Sequence, residues 1–396
     1  MTIDRRRTVS SRSWCLVVLA LSGFVTSFGA HIVATNLPSY AETVGAGAFT
    51  IGLLIAVYDF AELFAKPAAG FIADRRGMKQ MLLLGLVVFI AGSLLFLVIN
   101  PRLLLLVRFV QGLGAAALST VSISLVARYF ETARGRAFGT YNAIKGAGYV
   151  VAPATGGFLA HQYGFAMIFM VSAGVALFAL ILSLFLPSDP EGTLQDDDED
   201  ASFREALQVF SDRQLLPIYA VIVINMFLVG ILFGFLPVYL HGLGYSASKS
   251  GAVLSTATAA YLLIQPVAGA LADRVDTRMT VIVGLLVAAL SIIAATFASG
   301  WLLIAIVICA GIGIGTVWTN SDALVSASAT AAKLGASIGA AQSFKEFGDM
   351  IGPLLVGALT QFFGVRVGFV TCGAVALAFV VLLSRAKGFR PVNVGA

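Results

Sequence analysis

The chain has 396 residues, of which 59% are hydrophobic and only 11% are charged, and its formal net charge is +5. A soluble domain carries about 25% charged residues, so this composition excludes a soluble globular protein. The apolar runs are about 20 residues long or longer, which is the length of a membrane-spanning helix and about twice that of a barrel strand. We therefore predict a membrane protein built from helices, which satisfy their own backbone groups in lipid.

Twelve apolar runs follow one another, and one long polar stretch divides them into two groups of six. The predicted spans 1 to 12 cover residues 14–36, 49–72, 80–99, 103–127, 137–161, 165–187, 214–240, 248–272, 279–299, 301–326, 336–362 and 365–386. The polar stretch contains the acidic run Asp196–Asp200, which we expect to be solvated. The sequence therefore predicts an all-α fold with an N-terminal six-helix bundle at 1–187, a cytoplasmic acidic linker at 188–213 and a C-terminal six-helix bundle at 214–396.

The distribution of lysine and arginine predicts the orientation. With the N-terminus in the cytoplasm, the inner loops and termini hold eighteen of these residues, whereas the outer loops hold three, Arg102, Lys249 and Arg366. This asymmetry follows the positive-inside rule. We expect a multi-pass protein of the plasma (inner) membrane with both termini in the cytoplasm.

The two halves repeat each other at an offset of 199 to 200 residues. The positions Gly52, Gly85, Gly148, Pro153 and Gly157 are matched by Gly251, Gly284, Gly348, Pro353 and Gly357. Because six spans return the chain to the side it left, the two halves have the same topology. Parallel repeats of this kind, with a substrate cavity between them, are typical of secondary transporters.

Three motifs resemble signatures of the major facilitator superfamily, and the resemblance covers essentially the whole chain. The short charged turn predicted between spans 2 and 3 carries Gly70, Asp74, Arg75, Gly77 and Lys79. In span 4, the sequence from Arg108 to Gln111 and Gly112 resembles the signature of proton-coupled members. Span 5 resembles the antiporter signature at Gly148, Ala152, Pro153, Gly156 and Gly157. Alanine at 152 stands where the pattern has glycine.

The resemblance implies a twelve-span transporter of the drug/proton antiporter type. It also implies that Asp74 acts as a latch on the cytoplasmic face, where a carboxylate can accept hydrogen bonds at the N-terminus of span 11. Arg75 and Lys79 would then hold neighbouring helix ends. In span 5, small residues four apart form a stripe that allows close helix packing, and Pro153 should bend the helix.

Ionisable side chains fall within predicted spans 2, 4, 5 and 11, where each costs about 2.5–3.5 kcal/mol at the bilayer centre and is a functional candidate by default. They are Asp59, Glu62 and Lys66 in span 2, Arg108 in span 4, Lys145 in span 5, and Lys345, Glu346 and Asp349 in span 11. By analogy with the family, spans 2 and 11 face each other, so these groups would meet at one depth. They would form either a charge network that locks one state or a proton site. We hypothesise that at least one of the four carboxylates carries the proton and that Arg108 tunes it, because burial and like charge favour the protonated form.

Other polar or amphipathic side chains within the spans are predicted to line a cavity, although any of them could instead bond across helices. They are His31, Asn36, Asn225, Tyr261, Gln265, Trp318 and Asn320. Asp322, late in span 10, is placed nearer the cytoplasmic mouth.

The sequence contains no GxxxxGK[ST] loop and no catalytic triad within a soluble domain, so we expect neither an enzyme nor a nucleotide-driven pump. No metal, cofactor or nucleic acid is expected. The expected partners are a small-molecule substrate, protons and the lipid bilayer. We expect the protein to work as a monomer. The leading reading is a proton-coupled antiporter that exports small amphipathic molecules. The alternatives are an exporter or importer of a single metabolite, such as a sugar or carboxylate, and a lipid flippase on the same fold.

Overall fold

A computed structural model of the chain describes residues 3–130, 134–187, 210, 212–272, 275–328 and 334–385. The acidic run Asp196–Asp200 lies outside the described residues, and so does the side chain of Asp74. The predicted linker boundary and the predicted latch therefore stay predictions.

The described residues fold into twelve long helical spans, which confirms the predicted all-α architecture. Span 1 comprises Ile3–Phe24, a π-helical turn at Val25–Gly29, and the short helices Ala30–Ala34 and Leu37–Thr43. Spans 2 to 6 are Ala48–Arg76, Met78–Val98, Leu104–Tyr129, Arg134–Tyr163 and Phe165–Leu184. Spans 7 to 12 are Leu216–Gly242, Ala247–Ala272, Thr277–Ala295, Gly300–Ser328, Leu334–Phe363 and Val365–Arg385.

Ten of these spans, counted within the described ranges, are long and apolar enough to cross a membrane by length and composition. Spans 5 and 11 are not among the ten. They carry the ionisable groups Lys145, Lys345, Glu346 and Asp349 and many glycines, which lower their mean hydropathy. Ionisable side chains and close-packing glycines thus weaken the apolar signal of these two helices.

Two predicted boundaries differ from the structure. Span 1 does not end at residue 36, because Pro38 lies in the first turn of a further helix, where its missing N–H costs no hydrogen bond. The charged segment after span 2 is not a separate turn, since helix continues to Arg76. Gly77 alone reverses the chain with a φ of 103°, a conformation that favours glycine, and Lys79 already lies in the first turn of span 3.

The helix ends confirm the internal repeat. Spans 5 and 11 end 200 residues apart, at Tyr163 and Phe363. The turns before spans 6 and 12 both use a glycine with positive φ, Gly164 at 81° and Gly364 at 84°. Duplication therefore extends from the glycine pattern to the backbone conformation.

The chain divides into two compact units. Unit N comprises Met1–Val44, Val57–Leu194 and Gly244–Ala252, and unit C comprises Gly45–Ala56, Gln195–Leu243 and Val253–Ala396. In unit N, span 3 packs against spans 4 and 6, and span 1 packs against span 5. In unit C, span 9 packs against spans 10 and 12 in the same way, and span 7 packs against span 11. Each unit also includes the opening residues of the other half's second helix.

Candidate functional site

Spans 2 and 4 of unit N bring together the predicted charges Asp59, Glu62 and Arg108. Asp59 and Glu62 are only 7% and 8% exposed, and Arg108 is 1% exposed. The guanidinium carbon of Arg108 lies 4.2 Å from the centre of the Tyr58 ring, and both carboxylates act on it electrostatically. Glu62 forms an ion pair with Lys66, one helical turn away. The spacing of three residues places both carboxylates on one face of span 2, as expected for a helix.

A chain of buried hydrogen bonds holds Arg108 from the other side. Nη1 of Arg108 donates to Oε1 of Gln111 over 2.6 Å, and Nε2 of Gln111 donates to the Ser93 hydroxyl over 3.1 Å. The hydroxyls of Ser93 and Ser172 lie 3.3 Å apart, and Ser172 donates to the carbonyl of Gly29 over 2.9 Å. We call this series the relay. It connects spans 4, 3, 6 and 1 and fixes the orientation of the guanidinium group.

Sequence reasoning missed Ser93 and Ser172, because a lone serine within an apolar span is common and carries no distinguishing spacing. The relay ends at Gly29, the last residue of the π-helical turn in span 1. Turns of this kind often occur at functional sites. Arg108 is therefore connected to a region where span 1 departs from regular α-helix.

Ser172→Ala is expected to reduce transport several-fold and to shift its pH profile. The substitution removes the hydrogen bond between the Ser93 and Ser172 hydroxyls and the one from Ser172 to the Gly29 carbonyl, at a cost of about 1–3 kcal/mol. The series of hydrogen bonds that orients the Arg108 guanidinium group is then interrupted. Ser124→Ala is the matched control, since its hydroxyl bonds to the carbonyl of Thr120 in its own helix. The measurement is transport against pH, with thermal unfolding measured in parallel. An unchanged pH profile in the Ser172 variant would show that the relay is structural only.

His31 and Lys145 lie on the span 1 and span 5 side of unit N. Nδ1 of His31 donates to the carbonyl of Ser27 over 2.9 Å, and the His31 ring meets the Tyr149 ring edge-on at 4.3 Å between centres. His31 is within electrostatic range of Arg108, Glu62 and Lys145. Asn36 is buried, and its amide donates to the carbonyl of Ile32 over 2.9 Å. Its observed bonds are therefore local to span 1.

In unit C, Lys345 pairs with Asp322, which the sequence analysis places apart from the other charges, nearer the cytoplasmic mouth. Its ammonium nitrogen lies 2.7 Å and 2.8 Å from the two carboxylate oxygens of Asp322 in span 10. The same nitrogen lies 4.4 Å from the centre of the Trp318 ring, which meets Tyr261 edge-on at 5.5 Å. Successive residues of a helix point about 100° apart. Lys345 therefore faces span 10, while the neighbouring Glu346 points in another direction.

The other candidates of unit C are spread over several helices. The Asp349 carboxylate and carbonyl pack against Gly230 of span 7, where a β-carbon would lie 3.0 Å and 2.7 Å from them. Asn225 and Asn320 donate to backbone carbonyls at 3.4 Å and 2.7 Å. Their Oδ1 atoms are buried with no hydrogen-bond partner among the described residues. Glu346 and Gln265 are half-buried. The expected meeting of the span 2 and span 11 charges stays a prediction.

The span 5 motif packs against two neighbours within unit N. A β-carbon at Gly148 would lie 2.9 Å from the backbone nitrogen of Phe28, and one at Gly156 would lie 3.1 Å from the Ile32 carbonyl. Gly157 instead faces span 8, where its β-carbon would lie 3.2 Å from the α-carbon of Gly251. Ala152 is fully buried. Glycine is thus required on two faces of this helix.

The same crossing occurs once in each unit. In unit N, the carbonyl carbon of Pro153 would lie 2.9 Å from a β-carbon at Gly251. In unit C, the carbonyl carbon of Pro353 would lie 3.1 Å from a β-carbon at Gly52. The pairs Gly251–Pro153 and Gly52–Pro353 are related by the repeat, and in both a β-carbon on the glycine would contact backbone atoms of the proline. We call them the glycine crossings.

Lys79, in the first turn of span 3, lies against the end of another helix. The Lys79 ammonium donates to the carbonyls of Leu184 and Leu186, at the C-terminus of span 6, where the helix dipole favours a cation. Arg278, the counterpart of Lys79, donates to Leu383 and Ser384 at the end of span 12. Arg75 lies over the Phe71 ring of its own helix at 4.1 Å. The nearest atom to a β-carbon at Gly70 is a Thr120 methyl group at 3.6 Å.

The chain is similar to known transporters in sequence and in fold. The chain matches the sequence profile of the Major Facilitator Superfamily over residues 19–260 and 241–394. Multidrug resistance protein MdtG of Serratia proteamaculans is 27% identical over 377 residues, which cover 91% of each chain. Multidrug resistance protein 2 of Bacillus subtilis is 24% identical over 317 residues, which cover 77% of this chain and 78% of that protein.

Two solved structures share the fold at low identity. A bacterial homolog to the human lysosomal transporter Spinster has a TM-score of 0.80 at 19% identity and covers 95% of this chain and 97% of its own. The nucleoside transporter NupG has a TM-score of 0.79 at 13% identity and covers 94% of this chain and 100% of its own. With the profile match over both halves, the duplicated helices and the three motifs, the chain belongs to the Major Facilitator Superfamily.

Proposed function

We propose that the protein is a proton-coupled antiporter that exports small amphipathic molecules by alternating access. The names of its multidrug-resistance relatives support export of this substrate class. The span 4 and span 5 motifs, which resemble those of proton-coupled antiporters, support the coupling. In this proposal the protein works as a monomer in the plasma membrane, with both termini in the cytoplasm.

The observation that carries the proposal is the buried charge cluster of spans 2 and 4. Two carboxylates, Asp59 and Glu62, lie beside two cations, Arg108 and Lys66, in an apolar helix pair. Buried charges are costly in a membrane and mark ion or proton pathways. A carboxylate in such a cluster can lose its proton when a cation approaches and regain it when the cation withdraws. That exchange is what coupling to a proton gradient needs.

Export from whole cells tests the proposal. The protein is produced in a host that lacks its own exporters, and accumulation of a panel of cationic, neutral and anionic fluorescent compounds is measured. We expect several amphipathic compounds to accumulate less than in cells with the empty vector, and a proton ionophore to abolish the difference. Lower accumulation that survives the ionophore would contradict proton coupling. Movement of a single metabolite alone would favour the single-substrate alternative.

A further inference from the structure

The pair Lys345–Asp322 in unit C lies in a setting that differs from an ordinary structural ion pair. The ammonium contacts both carboxylate oxygens and also lies over the face of Trp318. Tyr261 supplies a second aromatic ring against Trp318. A carboxylate beside an aromatic face is the arrangement that recognises an organic cation. The ammonium group of Lys345 therefore takes the place that an organic cation would occupy in such a site.

The two partners differ in exposure. The Lys345 side chain is 5% exposed, whereas the Asp322 side chain is 43% exposed. A carboxylate has about four lone-pair sites. The exposed side of Asp322 therefore remains accessible to a second cation while Lys345 approaches from the buried side.

The internal repeat argues against a purely structural role for this pair. The positions in unit N that match Asp322, Trp318 and Lys345 are Ile123, Ser119 and Lys145. Only the lysine is common to both halves. The fold is therefore built in unit N without a carboxylate or an aromatic ring at these positions, and both are particular to unit C.

We propose that Asp322, Trp318 and Tyr261 bind the cationic group of an amphipathic substrate, and that Lys345 is a tethered competitor for the same carboxylate. This inference rests on the proposed export function and names the substrate class as organic cations. A tethered group acts at an effective concentration of about millimolar or more. Competition from Lys345 therefore lowers the affinity for the substrate. When the substrate leaves, Lys345 re-forms its ion pair with Asp322, which favours release.

Binding to purified protein tests this site without any transport step. Trp318 is made the sole tryptophan by replacing the exposed Trp14 and Trp301 with phenylalanine. Its fluorescence is titrated with tetraphenylphosphonium, and with triphenylphosphine oxide as a neutral probe of similar shape. We expect Lys345→Met to raise tetraphenylphosphonium affinity about tenfold and Asp322→Asn to lower it about tenfold. Lys345→Arg keeps the competing charge and should stay near the parent protein, and affinity for the neutral probe should not change.

The opposite results would overturn the site. They are an unchanged or weaker affinity in a folded Lys345→Met variant, an unchanged affinity in Asp322→Asn, or a Trp318 signal that does not respond to saturating tetraphenylphosphonium. Thermal unfolding of each variant identifies those that fold, and if Lys345→Met does not, the Asp322→Asn and Lys345→Arg titrations decide. Absence of export by cells, with the expected binding changes intact, would support the site and contradict the proposed function.

Discussion

Glu62→Gln is expected to lower pH-driven export by about tenfold or more, equivalent to roughly 1.4 kcal/mol, while downhill exchange of substrate continues. An amide keeps the size and hydrogen-bonding capacity of the side chain but cannot bind and release a proton. Asp59→Asn should have a similar effect if the proton is shared between the two carboxylates. The measurement compares uptake driven by an imposed pH gradient with substrate exchange at equal pH, both in everted membrane vesicles.

Two further variants separate loss of coupling from loss of structure. Glu62→Gln alone leaves Lys66 without its ion-pair partner, whereas the double variant Glu62→Gln/Lys66→Gln removes both charges. We expect the double variant to be folded and uncoupled. Glu42→Gln, at the end of span 1 and outside the cluster, should remain coupled. Full pH-driven export by both Glu62→Gln and Asp59→Asn would place the proton site outside spans 2 and 4.

Leucine at Gly251 or Gly52 is expected to reduce transport to background. Each glycine crossing brings two backbones together, so a β-carbon meets the backbone of Pro153 or Pro353 rather than a side chain that can move aside. Overpacking of this kind typically costs about 1–3 kcal/mol, and at a crossing it forces the two helices apart. The measurement is substrate transport together with the amount of protein in the membrane.

The matched controls are Gly139→Leu and Gly339→Leu. These glycines are also helical and also related by the repeat, but nothing lies within 4 Å of a β-carbon at either position. We expect both variants to transport normally. Equal loss at the crossings and at the controls would show that leucine is harmful in these helices generally, and the role of the crossings would be refuted.

The sequence predicted the helices and the repeat because both depend on local patterns, which are apolar run length and small-residue spacing. It also predicted that Asp59, Glu62 and Arg108 are functional candidates, since charge within an apolar span is rare enough to be informative. It did not predict the relay through Ser93 and Ser172, because contacts between helices depend on rotation and depth. These are set by packing rather than by composition.

Two structural features were not predicted from the sequence. Lys345 was predicted together with Glu346 and Asp349 as an ionisable residue of span 11, and its ion pair with Asp322 of span 10 was not predicted, because the direction of a side chain depends on helix rotation. The segment after span 2 was predicted to be a turn because it is highly charged. Charge is tolerated at a helix end, and Gly77 with its positive φ is the residue that ends the helix.

The internal repeat distinguishes positions that are the same in both halves from positions that differ between them. The glycine crossings and the cationic caps at Lys79 and Arg278 occur in both halves. The span 2 charges are not duplicated, since Glu62 and Lys66 are matched by Tyr261 and Gln265, whereas the lysine at 145 and 345 is common to both halves. We infer that the glycine crossings and the cationic caps maintain helix packing, and that the carboxylates and aromatic rings found in one half only carry the proposed chemistry. Proton exchange is assigned to unit N and cation binding to unit C.

Proton flux driven by substrate alone tests the proposed antiport most directly. Liposomes containing the purified protein are loaded with tetraphenylphosphonium and a pH-sensitive dye, with equal pH on both sides and the membrane potential clamped. We predict that efflux of the cation acidifies the lumen, and that the double variant Asp59→Asn/Glu62→Gln abolishes this acidification. Protein-dependent efflux without acidification, or acidification that persists in the double variant, would contradict a proton exchange carried by spans 2 and 4.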